Sequence, residues 1–164
     1  LGPKKPGDLL TEPLLESHAA LLQSQQFPGD RALLSPFESY PRYSGPREAV
    51  FTALCRKNMG CSHFVVGRDH TGVADYYSAD ASQRFFNKLG DIGIEPIFFQ
   101  SIAFDESDNK YKDEQSCLEP RKIHGTEARE CLLRKEQLPD WFMRSEVQAA
   151  LVRFAQLEGT FVHD

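Results

Sequence analysis

The sequence predicts an α/β fold built on a parallel sheet with Rossmann-like crossovers, and three observations lead there. Short apolar runs, such as Ser62 to Val66 and Ile94 to Ala103, alternate with helical patterns of about a dozen residues, as in βαβ units. The run Ser62 to Val66 ends in Gly67-Arg68-Asp69-His70-Thr71-Gly72, a polar turn at the carboxyl end of a strand, which is where ligands sit in open α/β sheets. The third observation is bulk: 164 residues, 40% hydrophobic with 12 Phe, can bury a core without cross-links.

Taken in chain order, Leu1 to Asp8 is rich in Gly, Pro and Lys and reads as a loop. Glu12 to Gln26 carries Leu14, Leu15, Ala19, Leu21 and Leu22 at near-helical spacing and stops at Phe27-Pro28-Gly29-Asp30. Arg31 to Phe37 is a strand candidate. Ser44 is placed to cap a helix that opens at Pro46, buries Ala49, Val50, Ala53 and Leu54, and ends at Gly60. A strand over Ser62 to Val66 follows, with His63 read as a satisfied core residue, and then a helix over Ala81 to Leu89 stopped by Gly90. Ile94 to Ala103 is apolar enough for one fully buried strand. Asp105 to Gln115 is nearly all polar and reads as an exposed hairpin or loop whose charges form a solvated face. Helices over Gly125 to Arg134 and Ser145 to Gln156 close the chain, separated by the turn Leu138-Pro139-Asp140-Trp141. One domain is expected over 1–164, with 1–122 as the α/β part and 123–164 as a C-terminal helical segment.

Composition narrows the chemistry. Nineteen Lys and Arg against 24 Asp and Glu leave a net charge of −5, which argues against broad nucleic-acid binding. Cys55, Cys61, Cys117 and Cys131 form no CxxC pair, so reduced thiols are expected rather than a zinc ribbon or a disulfide scaffold. No apolar run reaches the roughly 18 to 20 residues that span a bilayer, and no basic region with an apolar signal core opens the chain, so a cytoplasmic protein with no membrane partner is expected. His18, His63, His70, His124 and His163 contain no i, i+3 or i, i+4 pair, and no metal ligand set is expected. The sequence lacks a Gly-x-Ser-x-Gly elbow, a Gly-Lys-Ser/Thr phosphate loop and HExxH.

Two groups remain as candidates for binding a nucleoside phosphate. Gly67 permits close approach of a ligand to the backbone, Arg68 carries a permanent charge for phosphate, and Asp69 and His70 can contact sugar, base or backbone. The alternative is a structural turn closed by an Arg to Asp pair. Thr126 and Arg129, three residues apart at a helix start, can share one face and point at an anion with the free N–H groups. Its alternative is a Thr cap beside a surface Arg. His124 adjoins this second group as His70 adjoins the first.

These blocks in this order resemble the ATP sulfurylases, or sulfate adenylyltransferases, over nearly the whole chain. The resemblance rests on Gly2-Pro3-Lys4-Lys5-Pro6-Gly7-Asp8, Ser44-Gly45-Pro46-Arg47-Glu48-Ala49, Val66-Gly67-Arg68-Asp69-His70-Thr71-Gly72, Ile123-His124-Gly125-Thr126-Glu127-Ala128-Arg129 and Leu138-Pro139-Asp140-Trp141-Phe142. It implies a nucleotidyltransferase sheet with flanking helices and adenylyl transfer from magnesium ATP to sulfate, releasing pyrophosphate and adenosine 5′-phosphosulfate. No cofactor held by the protein is implied, magnesium arriving as the ATP complex. It places Gly67, Arg68, Asp69, His70 and Ile102 on ATP, Thr71 and Gly72 beside the sulfate and α-phosphate, and Thr126 and Arg129 as phosphate-side support.

Two departures from the family pattern bear on the expectation. His124 stands where the family's Ile-Ser-Gly-Thr has Ser. The family's His-x-x-His motif and Gln-x-Arg-Asn segment, which precede the loop at Leu1, occur nowhere in the 164 residues. The expectation is therefore the later portion of a longer enzyme, lacking the first strand and helix of its sheet and nearly inactive alone. A homo-oligomer or the missing N-terminal part would be its macromolecular partner. The alternative is a nucleotide-binding or assembly module without catalysis. Only Cys117 occupies the region where some family members carry a zinc knuckle, too few ligands for structural zinc.

Overall fold

The computed structural model describes residues 6–24, 26–27, 31–67, 76–99 and 101–163. They fall into two compact units, Pro41–Arg121 and, from both ends of the chain, Leu1–Tyr40 with Lys122–Asp164.

The unit formed by the two ends is helical. Helix α1 (Thr11–Gln23) packs along α5 (Ser145–Glu158), which also contacts α4 (Gly125–Leu133). Ala128 and Leu132 of α4 and Leu151 of α5 meet Leu138 and Phe161 in the core of this unit. The ends are tied by main chain: Leu9 and Val162 form an antiparallel bridge, flanked by Leu10 N–H to Phe161 O at 2.9 Å and His163 N–H to Asp8 O at 2.8 Å. Gln148, only 7% exposed, accepts from Leu138 N–H at 2.9 Å and donates through Nε2 to Leu138 O at 2.9 Å and Met143 O at 2.6 Å. One amide thus satisfies three backbone groups of the turn after α4, two of them at the buried Leu138. Gln148→Leu is expected to cost about 2 to 3 kcal/mol, because it leaves those groups without partners; urea unfolding of the two forms measures it.

The second unit carries the mixed α/β structure. Helix α2 (Pro46–Asn58) and α3 (Ala81–Leu89) pack together over one face of the parallel pair β1 (His63–Val66) and β2 (Glu95–Phe98). Ala49 and Ala53 of α2, both fully buried, let it lie close to Val66, Phe86 and Ile94. Gly90, at φ +67°, ends α3 where the sequence placed the stop. The helix expected from Pro46 is present, but Ser44 does not cap it. Gly45 is the N-cap, and Glu48 reaches back to accept from Ser44 N–H at 2.9 Å and Arg42 N–H at 3.1 Å. A carboxylate at the third helical position thus takes N–H groups of the chain entering the helix rather than the first helical N–H groups that a Ser44 hydroxyl would have accepted, with the helix dipole in its favour.

Ile94 to Ala103 is not one buried strand. It divides into β2 and β3 (Ile102–Asp105), which belong to different sheets: β2 runs parallel to β1, whereas β3 lies antiparallel between β4 (Lys110–Asp113) and β5 (Pro120–Arg121). An apolar run shows which residues prefer burial, but not which partner supplies the ladder bonds. The sheet is accordingly less parallel than expected. Arg31 to Phe37 is not a strand either; it has no ladder partner among the described residues, and Pro36 interrupts its donors.

The other face of β1–β2 carries no helix of this unit among the described residues. There Val65 and Ile97, cross-strand partners, are 54% and 38% exposed. His63 shares that face and is not a core residue: it is half exposed, with Nδ1 2.8 Å from Ser62 Oγ and Nε2 3.3 Å from Glu95. Strand alternation sends residues 63 and 65 to the face opposite the buried Val66.

The hairpin of β3 and β4 follows the expectation for Asp105 to Gln115, with one exception to its solvated charge. Asp105 is fully buried. It accepts from Ser107 Oγ at 2.7 Å, Lys112 Nζ at 3.0 Å, Leu118 N–H at 3.0 Å and Glu119 N–H at 3.2 Å, tying the hairpin to the segment entering β5. The Ser107 hydroxyl first, then Lys112 and the two backbone N–H groups, hold its carboxyl well below the usual carboxylate range against the opposing effect of burial. All four cysteines are free, and among the described residues no helix is long and apolar enough to cross a membrane.

Candidate functional site

Strands β1 and β2 run in the same direction, so their carboxyl ends open on one side of the unit, and α3, the crossover helix between them, starts on that side. A cavity of about 120 Å³ lies there. Its floor is Val66, Gly67, Phe98 and Phe99; its polar wall is the first turn of α3 with Ser101 opposite. This is the crevice that open α/β sheets use for ligands, because strand ends and a helix N-terminus converge on it with unpaired backbone groups.

Gly67 lines the cavity, and a Cβ added to it would meet open space, so its backbone is accessible to an approaching group. Arg68, Asp69, His70, Thr71 and Gly72 continue the chain from Gly67 and lie outside the described residues. Ile102 opens β3 directly after the cavity residue Ser101 and is 45% exposed. Ser101 is itself fastened, its Oγ donating to Glu114 at 2.5 Å and its carbonyl accepting Glu114 N–H at 2.8 Å. Tyr77, just after residues 68–75 in the chain, is held by its ring, which covers Gly45 so closely that a Cβ there would come within 2.5 Å of it.

Thr126 and Arg129 do share a face in the first turn of α4, in the other unit. Arg129 donates to Thr126 Oγ1 at 3.2 Å, and its guanidinium lies over Gly125, 3.3 Å from where a Cβ would be. The Thr-cap alternative is not realised: His124 is the N-cap, in extended conformation and without a side-chain capping bond, and Thr126 lies inside the helix. A cation folded over the positive end of a helix is electrostatically uphill, and the bond to Thr126 helps to hold it there.

Sequence reasoning missed the contribution of α3. Ser82 and Gln83 stand at its start and line the cavity. The signal was available, since a helix start that follows a strand end by one connection belongs at the ligand side of a parallel sheet. The polar run Ser78 to Gln83 has the composition of any exposed helix start, which hides that role.

A larger cavity of about 410 Å³ lies in the helical unit, between α5 and the turn after α4. The polar atoms of Gln148 that border it are all consumed by the backbone bonds described above.

A family model described as ATP-sulfurylase matches residues 1–154. The sulfate adenylyltransferase of Ignicoccus hospitalis is 35% identical over 167 residues, taking in 99% of this chain and 43% of its own length. That of Symbiobacterium thermophilum is 38% identical over 162 residues, 95% of this chain and 41% of its own. The chain thus spans about two fifths of the length of these relatives. Among solved structures, a hexameric APS kinase from Thiobacillus denitrificans superposes with a TM-score of 0.61 at 21% identity, covering 93% of this chain and 30% of that one. At that identity the likeness speaks for the α/β fold alone.

Proposed function

The chain belongs to the ATP-sulfurylase family, and from that premise we propose that it forms the nucleotide-binding part of a sulfate adenylyltransferase serving sulfate assimilation in the cytoplasm. In the reaction a sulfate oxygen attacks the α-phosphorus of magnesium ATP; the bond from that phosphorus to the oxygen bridging to the β-phosphorus breaks. Pyrophosphate leaves with the bonding electrons, and adenosine 5′-phosphosulfate is the other product. Such a transfer needs alignment and charge stabilisation rather than a protein nucleophile.

The observation that carries the reading is the cavity at the carboxyl ends of β1 and β2, lined by Gly67, from which the chain continues into the Arg-Asp-His sequence. In this proposal Gly67, Arg68, Asp69 and His70 bind ATP with Ile102, and Thr71 and Gly72 lie by the sulfate and α-phosphate. Magnesium enters only with ATP. The rest of the catalytic contacts come from sequence that the matched relatives carry in their additional length, so the chain alone should bind ATP yet show little sulfate-dependent pyrophosphate exchange.

Arg68→Ala tests the assignment. The expected result is a loss of about 1.5 to 3 kcal/mol in ATP binding, the range for a hydrogen bond to a charged group, with an unchanged melting temperature. A lowered melting temperature with normal ATP affinity would instead make Arg68 the partner of a structural carboxylate. ATP binding that survives every substitution of the catalytic contacts, in the longest natural form of the protein and without any turnover, would favour the module without catalysis.

A further inference from the structure

The polar wall of the cavity holds groups that no interaction among the described residues accounts for. Ser82 is 8% exposed, and its hydroxyl makes no hydrogen bond among the described residues. Because Ser82 lines the cavity, its residual exposure faces that space. The N–H groups of Ser82 and Gln83 also lack partners among the described residues: Ala81 N–H is taken by Ser78 O and Arg84 N–H by Asp80 O, while the two between them precede the first intrahelical acceptor. Three donors therefore lie in the first turn of a nine-residue helix, at its positive end and on the wall of one cavity.

We infer that the first turn of α3 is a subsite for a tetrahedral oxyanion, held by Ser82 Oγ and the N–H groups of Ser82 and Gln83. The cavity volume of about 120 Å³ suits a phosphoryl or sulfate group rather than a whole nucleotide. The carboxylate that borders it, Asp80, does not repel an anion at full strength, since Arg84 forms an ion pair with it and also donates to Ser78 Oγ at 2.7 Å. A cation is disfavoured by the same geometry, because every unpartnered group named is a donor or can act as one. The inference rests on the nucleotide reading only in sharing its cavity: Ser82 would position a phosphoryl or sulfate group of the substrates and touch no bond that changes.

Titrating the chain separately with sodium sulfate, inorganic pyrophosphate and ATP, while following the backbone amide resonances of Ser82 and Gln83, tests the subsite. Both amides are expected to shift with at least one inorganic anion, and the anion that moves them identifies the source, sulfate or phosphoryl. Ser82→Ala should weaken that anion about ten- to a hundredfold, the loss expected of one hydrogen bond to a charged acceptor, and Ser82→Thr, which keeps the hydroxyl, should restore it. The melting temperature of Ser82→Ala should stay at the wild-type value, because the hydroxyl supports nothing within the described protein. Amides that remain still under saturating sulfate and pyrophosphate, or equal affinity in Ser82→Ala, overturn the inference. ATP that binds elsewhere without moving these amides does so while sparing the nucleotide reading, and anion binding without ATP binding has the opposite meaning.

Discussion

Gly45→Ala should destabilise the α/β unit by about 2 to 4 kcal/mol, the combined cost of a left-handed backbone and of overpacking. Gly45 sits at φ +54°, where a side chain is strained before any neighbour is considered. The added Cβ would also fall 2.5 Å from two ring carbons of Tyr77. Neither cost can be relieved alone. Relaxing φ would turn the chain entering α2 and pull the Ser44 and Arg42 N–H groups off Glu48; moving the ring would displace a residue that follows 68–75 closely in the chain. A change some distance from the cavity in sequence is therefore expected to lower ATP affinity as well as melting temperature. Thermal unfolding and ATP titration on one preparation check both, and wild-type stability in the Gly45→Ala variant would show that Tyr77 does not pack as described. Gly45→Ser should behave alike, since the hydroxyl does not remove the Cβ.

Asp105→Ala is expected to have an effect of similar size by another route, lowering the melting temperature on the order of 10 °C. The substitution leaves Lys112 beside Asp108 only, and strips an acceptor from the Leu118 and Glu119 N–H groups that hold β5 to the hairpin. Its pH dependence follows from the depressed carboxyl. A group whose pKa is lower folded than unfolded stabilises the fold above its unfolded value, near 4, and loses that contribution as pH falls toward the folded value. The wild type should hold its melting temperature from neutral pH down to about pH 4 and decline below it. Asp105→Asn should begin lower and decline less steeply, with its deficit shrinking as the wild type protonates. Melts at pH 7 and pH 3 separate the two, and a deficit that stays constant across them would remove Asp105 as the source of the acid sensitivity.

Much of the helical structure was legible because its signals are local. Pro46 and Gly90 mark ends that depend on φ restrictions within one turn. The family was legible for a different reason: Gly67 to Gly72 and Gly125 to Arg129 are specific strings, readable without knowing where they fold. Hydrophobicity served less well. Ile94 to Ala103 looked like one strand because it is mostly apolar, yet β2 pairs with the distant β1 and β3 with strands that follow it, and the polar pair Gln100-Ser101 is the local sign of the division. His63 was misplaced because burial alternates along β1 with a phase fixed only by α2 and α3 covering one face.

What the sequence determined by itself is the set of elements whose causes lie within a turn or a strand, and the family to which its motifs belong. The tertiary structure alone decided that residues 6–24 join the C-terminal helices, that a charge in a polar stretch becomes the buried Asp105 hub, and that Ser82 and Gln83 face the cavity beside Gly67. The physical reason is common to all three. A backbone donor, a carboxylate or a hydroxyl has the same local chemistry wherever it lies in the chain. Whether it is exposed, paired or left facing a cavity depends on groups that meet it only after distant segments pack.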